Sequence, residues 1–394
     1  MKKLSLSVLA LYAGILAAFS QAGTDSSSYK PRRLSLSEVD FVSAYYRQNG
    51  NHSAVTGGVG TERLSDFSNS IEAKWVRYDR RNREHNLNVE LGIDHYTSAS
   101  SDQIDPTDIS SASYADTRIY PSVGYTVKNG VRRRSIGGTL SFSKEYDYTS
   151  VGVGARYSKA SADESRELGV NLQAYLDQWR VILPVELRTS GRKDEGYAPR
   201  RTYSASFSLS QVVNTRLQVV GLLELVAQEG LLATDYQRVY FKDGPAQIER
   251  LPSFRFKLPA GVRVHYFAGD RVLLRGLYRF YADDWGVRAH TAELEAPLKA
   301  TPYFSVSPFY RFYTQTAARY FAPYRAHPGS EEFYTSDYDL SALHSHYFGA
   351  GLRWVPESGI FHLAHWRMAE LRYGHYLRSD GLGSDIVSLN LQFK

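Results

Sequence analysis

Charged side chains recur at even spacing between residues 257 and 311, and they are the part of this 394-residue chain best placed to do chemistry. Lys257, Arg263, Arg275 and Arg279 are followed by Glu293, Glu295 and Arg311. Residues two apart on a strand share a face, so strands joined by odd-length turns would bring all of them to one side. Turns of that kind set Arg263 opposite Arg275, Arg275 opposite Glu295 with Glu293 one diagonal away, and Arg311 opposite Glu293. Like charges directly opposite each other are destabilising, so Arg263 and Arg275 would need relief from the acidic pair or from water. Two uses of such a stripe stay open: an ion-pair ladder that stiffens a wall, or a charged track that selects or holds an anionic solute.

Other constellations are less specific. Asp102, Asp105 and Asp108, with Ser and Thr nearby, offer oxygens to calcium but lack the EF-hand spacing. Glu331, Glu332, Asp337 and Asp339 form a similar acidic set that reads equally as a solvated loop. Histidines concentrate after His265, at His290, His327, His344, His346, His362, His365 and His375. His344 and His346 would share a strand face and could chelate a metal, although interface histidines do the same without one. A Ser/His hydrolase would need an orienting partner on neighbouring strands, and abundant Ser makes that signal nearly empty. Gly57-Gly58 and Gly137-Gly138 lack the strand-to-helix setting of a phosphate loop and read as a loop turn and a barrel bend. The chain has no Cys, which excludes thiolate metal sites, thiol redox chemistry and Cys nucleophiles. No cofactor is required by the sequence, and no enzyme is expected.

The elements that must position these residues are strands. The last stretch, DIVSLNLQF before Lys394, puts Val387, Leu389, Leu391 and Phe393 on one face and Ser388, Asn390 and Gln392 on the other. Such a strand needs partners on both edges, and closure against the first strand supplies them. Its aromatic end resembles a signal for the barrel-assembly machinery, with Phe393 penultimate. Similar alternation recurs along the chain, for example Leu87, Val89, Leu91 and Ile93 against Asn88, Glu90, Gly92 and Asp94, and Tyr203, Ala205, Phe207 and Leu209 against serines. With 30 Tyr, 18 Phe and 30 Gly, the composition suits aromatic girdles and strand bends.

Short turns near 80–84, 128–133, 160–165, 213–215, 268–270 and 300–302 alternate with long connections at 48–66, 97–115, 229–254 and 316–345. Outer-membrane barrels keep short turns periplasmic and long loops extracellular. Treating 168–177 as one strand and 179–201 as its loop preserves that pattern and gives about 16 antiparallel strands, with 14 and 18 as the neighbouring counts. Lys2 and Lys3, the apolar run from Leu4 to Phe19 and Ser20-Gln21-Ala22 read as a signal peptide over 1–22, with the mature chain starting at Gly23. Residues 23–33 then form a periplasmic segment and 34–394 the transmembrane β-barrel. The formal net charge of +6, spread along the chain, gives no nucleic-acid footprint.

Five segments carry a resemblance: HSAVTGGVGTERLSD from His52, DHYTSASSDQID from Asp94, KEYDYTS from Lys144, RAHTAELE from Arg288 and EEFYTSDYDLSAL from Glu331. There the chain resembles, over essentially its mature length, a family of bacterial outer-membrane barrel proteins of unknown function. Its members look like genome neighbours of small lipoproteins, thioredoxin-like proteins and flavin-attaching enzymes, which implies an extracytoplasmic redox pathway but no reaction or site. The expected protein is an all-β outer-membrane barrel acting as a porin-like pore or as the barrel partner of an envelope assembly. The alternatives are a loop-closed ligand-specific transporter, a scaffold for a redox complex, and third an outer-membrane hydrolase. Its expected partners are outer-membrane lipid, the barrel-assembly machinery, and periplasmic or lipoprotein partners.

Overall fold

The computed structural model describes residues 32–98, 114–188 and 196–394. Residues 1–22, the Gly23 start and the loop holding Asp102, Asp105 and Asp108 lie outside that set. The strands are β1 (Ser35–Asn49), β2 (Leu64–Tyr78), β3 (Glu84–Thr97), β4 (Ala115–Asn129), β5 (Arg134–Lys144), β6 (Tyr148–Ala160), β7 (Arg166–Arg180) and β8 (Tyr197–Asn214). They continue as β9 (Leu217–Gly230), β10 (Phe254–Phe267), β11 (Leu273–Asp283), β12 (Arg288–Glu295), β13 (Phe304–Gln315), β14 (Leu343–Trp354), β15 (Trp366–Arg378) and β16 (Gly383–Phe393). A short piece, Leu298–Lys299, prolongs β12 past Ala296-Pro297 against the same neighbour, β13.

Each strand pairs antiparallel with the next, and β1 pairs with β16 from Val39↔Phe393 to Asn49↔Gly383. The result is a closed barrel of 16 strands. Closure leaves no edge, so every ladder N–H and C=O finds a partner within the wall. Among the described residues no helix is long and apolar enough to cross a membrane, and the crossing is made by strands. Alternation assigns the two faces. Ile136, Leu140, Val153, Leu172 and Leu294 point outward and stay exposed, Leu140 at 59%, while Ser, Gly and charged residues between them face the lumen. An apolar outer band on a closed, even-numbered barrel belongs in the bacterial outer membrane.

The wall carries local departures from regularity with physical causes. Pro121 on β4 cannot donate to the ladder, and the β4–β5 pairing lapses beside it, between Ile119↔Lys144 and Ser122↔Ser141, while the register is kept. The expected loop over 179–201 is shorter than the sequence suggested. Strands β7 and β8 continue to the Arg180↔Tyr197 pair because the buried Asp177 holds Arg200 at 3.0 Å, and Arg200 lies over the rings of Trp179 and Tyr148. Connections at one end are short: 79–83, 130–133, 161–165, 215–216, 268–272 and 300–303, with a longer one at 355–365. The other end carries the long connections 50–63, 98–114, 181–196, 231–253 and 316–342, between short turns at 145–147, 284–287 and 379–382. We refer to these as the turn end and the loop end.

On β16, Leu389 faces outward between Leu371 and Ser43, whereas Asn390 faces the lumen between Glu370 and Val42. Leu389→Arg should cost about 2–4 kcal/mol in a lipid-embedded unfolding titration, and Asn390→Arg much less. Equal losses would mean that the two faces are assigned wrongly.

Candidate functional site

Lys257, Arg263, Arg275, Arg279, Glu293, Glu295 and Arg311 all point into the lumen, in a register that differs in one place from expectation. The connection between β10 and β11 has five residues, 268–272, closed by Ala268 N–H donating to Val272 O at 2.9 Å with Gly269 at φ 90°. That length shifts the register by two, so the expected Arg263–Arg275 apposition is replaced: Arg263 faces Leu277, and Arg275 faces His265. Arg275 lies opposite Glu295 across β11–β12, and Glu293 opposite Arg311 across β12–β13, as expected. Arg275 reaches Glu295 at 3.2 Å, and Glu295 also receives Arg372 of β15 at 2.9 Å. Arg311 lies over the Tyr347 ring at 4.8 Å.

Among the described residues, Lys257, Arg263, Arg279 and Arg311 form no ion pair. Part of the set is thus a ladder and part is a row of uncommitted cations. Arg279 borders a wall cavity of about 490 Å³ that Arg156, Glu167, Asn171, Ser206 and Ser208 also line.

The facing wall is acidic, which sequence reasoning missed. Asp40, Glu72, Glu90 and Asp94 occupy lumen positions on β1–β3, with Asp40 opposite Glu72 and Glu72 opposite Glu90. In a 16-strand ring these strands stand across from β9–β11, so a field of fixed sign runs across the lumen. The even spacing of Glu90 and Asp94 could have revealed it.

Above this lumen residues 50–63, 181–188, 231–253 and 316–342 of the long connections fold together into a cap. The β1–β2 and β9–β10 connections stand half a circumference apart, yet Arg238 of the second donates from Nη1 to the Val55 carbonyl of the first at 3.0 Å. The same guanidinium holds Glu186 of the β7–β8 connection at 2.5 Å. Val55 and Ile182 are buried against Tyr236, and Val239, Phe241 and Tyr334 form a second apolar cluster. His52 stacks on Tyr338 with ring centres 3.8 Å apart. A Cβ at Gly57 would lie 2.6 Å from the Tyr240 ring, and Gly57 sits at φ 76°. Glycine there meets both demands.

Residues 231–253 and 316–342 are stitched by reciprocal backbone bonds between Arg250 and Tyr334, and by Thr335 Oγ1 donating to Glu249 at 2.5 Å. The buried His327 bonds Glu331 at 2.6 Å and the Thr335 carbonyl at 3.0 Å. The acidic set of Glu331, Glu332, Asp337 and Asp339 is visible in the sequence, but the placement of one loop against another is not.

Inside the cap sit the buried Glu249 and the half-buried Asp337 and Asp235. Burial, with the charge of Asp337 second, pushes Glu249 up to about 8. Burial followed by the charge of Asp339 pushes Asp337 up to about 7, with Gln237 and Arg378 pulling the other way. Burial pushes Asp235 up to about 6. Tyr236, half-buried, is raised by burial and by the charges of Asp147, Glu145, Asp337 and Glu249.

Ligating atoms of Asp116, Glu145 and Asp147 at the β5–β6 turn lie within 4.8 Å of one another and could hold a cation. Two of the three also serve the turn: Asp116 accepts from the N–H of Tyr146, and Glu145 from the Tyr96 hydroxyl. His344 and His346 face outward with ring centres 5.9 Å apart, and His346 is held by the Tyr310 hydroxyl at 2.7 Å. His290 with Tyr278 and His375 with Asp385 make similar pairs on the outer wall.

A family model described as "Protein of unknown function (DUF3570)" matches residues 93–355. No curated protein matches the sequence. The chain is similar in structure to a BenF-like porin from Pseudomonas fluorescens Pf-5, with 7% identity, 90% of this chain and 98% of that one covered and a TM-score of 0.44. It is also similar to Pseudomonas aeruginosa OpdK with vanillate, with 9% identity, coverages of 93% and 99% and a TM-score of 0.42. For CdiB from Acinetobacter baumannii the identity is 10%, the coverages 91% and 61%, and the TM-score 0.46.

Because the folded values of Glu249, Asp337 and Asp235 are raised, the closed cap holds protons that loosened loops release. Its stability is fully present below the ordinary carboxylate range and falls as pH rises toward about 8. Hydrogen exchange of residues 231–253 and 316–342, corrected for intrinsic chemistry, should therefore be faster at pH 8.5 than at pH 6. Glu249→Gln should flatten that difference. Protection that ignores pH in the parent chain would remove these carboxyls from control of the cap.

Proposed function

We propose, for a chain that belongs to the DUF3570 family of proteins of unknown function, a porin-like outer-membrane passage that its own loops close and that admits small anionic solutes when the cap loosens. The observation that carries this reading is the Arg238–Val55 contact across the mouth. Loops that merely fringed an open pore would have no reason to meet from opposite sides.

The uncommitted cations Arg263 and Arg279, facing an acidic wall, supply the selectivity. An anion drawn along them exchanges water for guanidinium contacts, while the opposite wall repels it and keeps its path to one side. No reaction is assigned to any residue.

In planar bilayers the parent chain should conduct rarely, and Arg238→Ala, which cuts the cross-mouth tie, should open it more often. In that open background Arg263→Gln with Arg279→Gln should shift the reversal potential toward cation preference. Unchanged selectivity would place these arginines off the conducting path. Silence of both the parent and the Arg238→Ala barrel would favour the second reading, a closed barrel that anchors periplasmic or lipoprotein partners.

The proposed orientation puts the loop end outside the cell and the turn end in the periplasm. Cysteines at the exposed positions Asp243 and Glu332 should react with an impermeant reagent on intact cells, where no native thiol competes. Cysteines at Arg81 and Asn214 should wait until the outer membrane is breached, and the reverse pattern would invert the barrel.

A further inference from the structure

At the turn end of the outer wall, β5 and β6 place Arg134 directly opposite Lys159. Both lie on the lipid-facing side, two residues below Ile136 and Tyr157, which are themselves exposed at 53% and 37%. Among the described residues neither cation makes an ion pair. The acids of the following turn and strand are committed elsewhere or turned away: Glu164 holds Arg133 at 3.2 Å, Asp163 accepts from the Ser161 hydroxyl and the Ser165 N–H, and Glu167 faces the lumen. Arg166, the next outward residue at this end, is a further cation and bonds Gln211 at 2.6 Å. Like charges set directly across a ladder repel, so this arrangement is at its best with an anion between them.

The wall above has a shape to match. Gly138 and Ala155 face each other on the outer surface, flanked by Tyr125 on β4 and Leu172 on β7. Two small residues between two exposed large ones leave a shallow apolar trough. It sits four residues from the cations along β5, roughly 13 Å at the usual strand rise, which is a lipid's distance from phosphate to upper acyl chain.

We propose that Arg134, Lys159 and the Gly138–Ala155 trough form a binding site for an anionic phospholipid, with its phosphodiester between the two cations and an acyl chain in the trough. A soluble anion would find the same charges, but only a lipid also fills the trough and arrives from the side on which both face. In the proposed orientation the lipid comes from the periplasmic leaflet. The site itself depends on neither the cap nor conduction.

The folded barrel in neutral detergent micelles, titrated with dioleoylphosphatidylglycerol or dioleoylphosphatidylcholine and read by native mass spectrometry, tests this. The parent should retain the anionic lipid at least tenfold better. Arg134→Gln with Lys159→Gln should lower that binding by roughly 10- to 30-fold, given what each basic residue contributes at an anionic surface. Arg271→Gln, on the far side of the turn end, should leave it unchanged. Gly138→Leu fills the trough without touching the charges, and the nearest atom to a Cβ there is 3.5 Å away, so it should fold and bind the lipid more weakly. It also keeps the test decisive if the double charge variant fails to fold. No preference in the parent, a preference that survives the double variant, full binding by Gly138→Leu, or displacement by equimolar inorganic phosphate would each overturn the assignment.

Discussion

The structure depends on a requirement that lipid imposes and water does not: each peptide N–H and C=O in the wall must find its partner within the protein. Antiparallel pairing from β1 to β16, with Val39↔Phe393 and Asn49↔Gly383 at the limits of the seam, is the way this chain meets it. Ring closure then settles the remaining geometry. Alternation decides which residues meet lipid and which meet the lumen, and an even number of strands returns both ends of the wall to the same side. The exposed leucines outside and the charges inside follow from that closure.

The parts of this architecture that obey a local period were legible from residues alone. Alternation on segments such as Tyr203–Leu209 and Val387–Phe393 located strands, and loop lengths separated the two ends. Where turn chemistry rather than period decides, reading failed: the five-residue connection at 268–272 moved Arg275 from Arg263 to His265. Interactions between distant elements were beyond reach. Asp177, Arg200 and Trp179 extend β7 and β8 past their expected ends through an ion pair and a ring contact that leave no mark on composition. The acidic face of β1–β3 was present as spacing but unremarkable until the ring set it opposite the basic one.

Within the candidate site the same division holds. The cations between residues 257 and 311 could be placed on one face because strands are regular. The cap could not, because Val55, Ile182 and Tyr236 come together from connections far apart in sequence. Its buried carboxyls are likewise a property of packing: Glu249 looks like any loop glutamate until Thr335 and the Thr234 N–H enclose it.

Arg238 has one more consequence. A single guanidinium grips both the Val55 carbonyl and Glu186, so three connections from separate sectors of the rim share one knot. Loops so joined do not lift one at a time. Loosening any of them removes a contact that the shared guanidinium supplies. On the proposed reading the mouth is a latch with two positions, and current through a single molecule should jump between two levels instead of drifting among many.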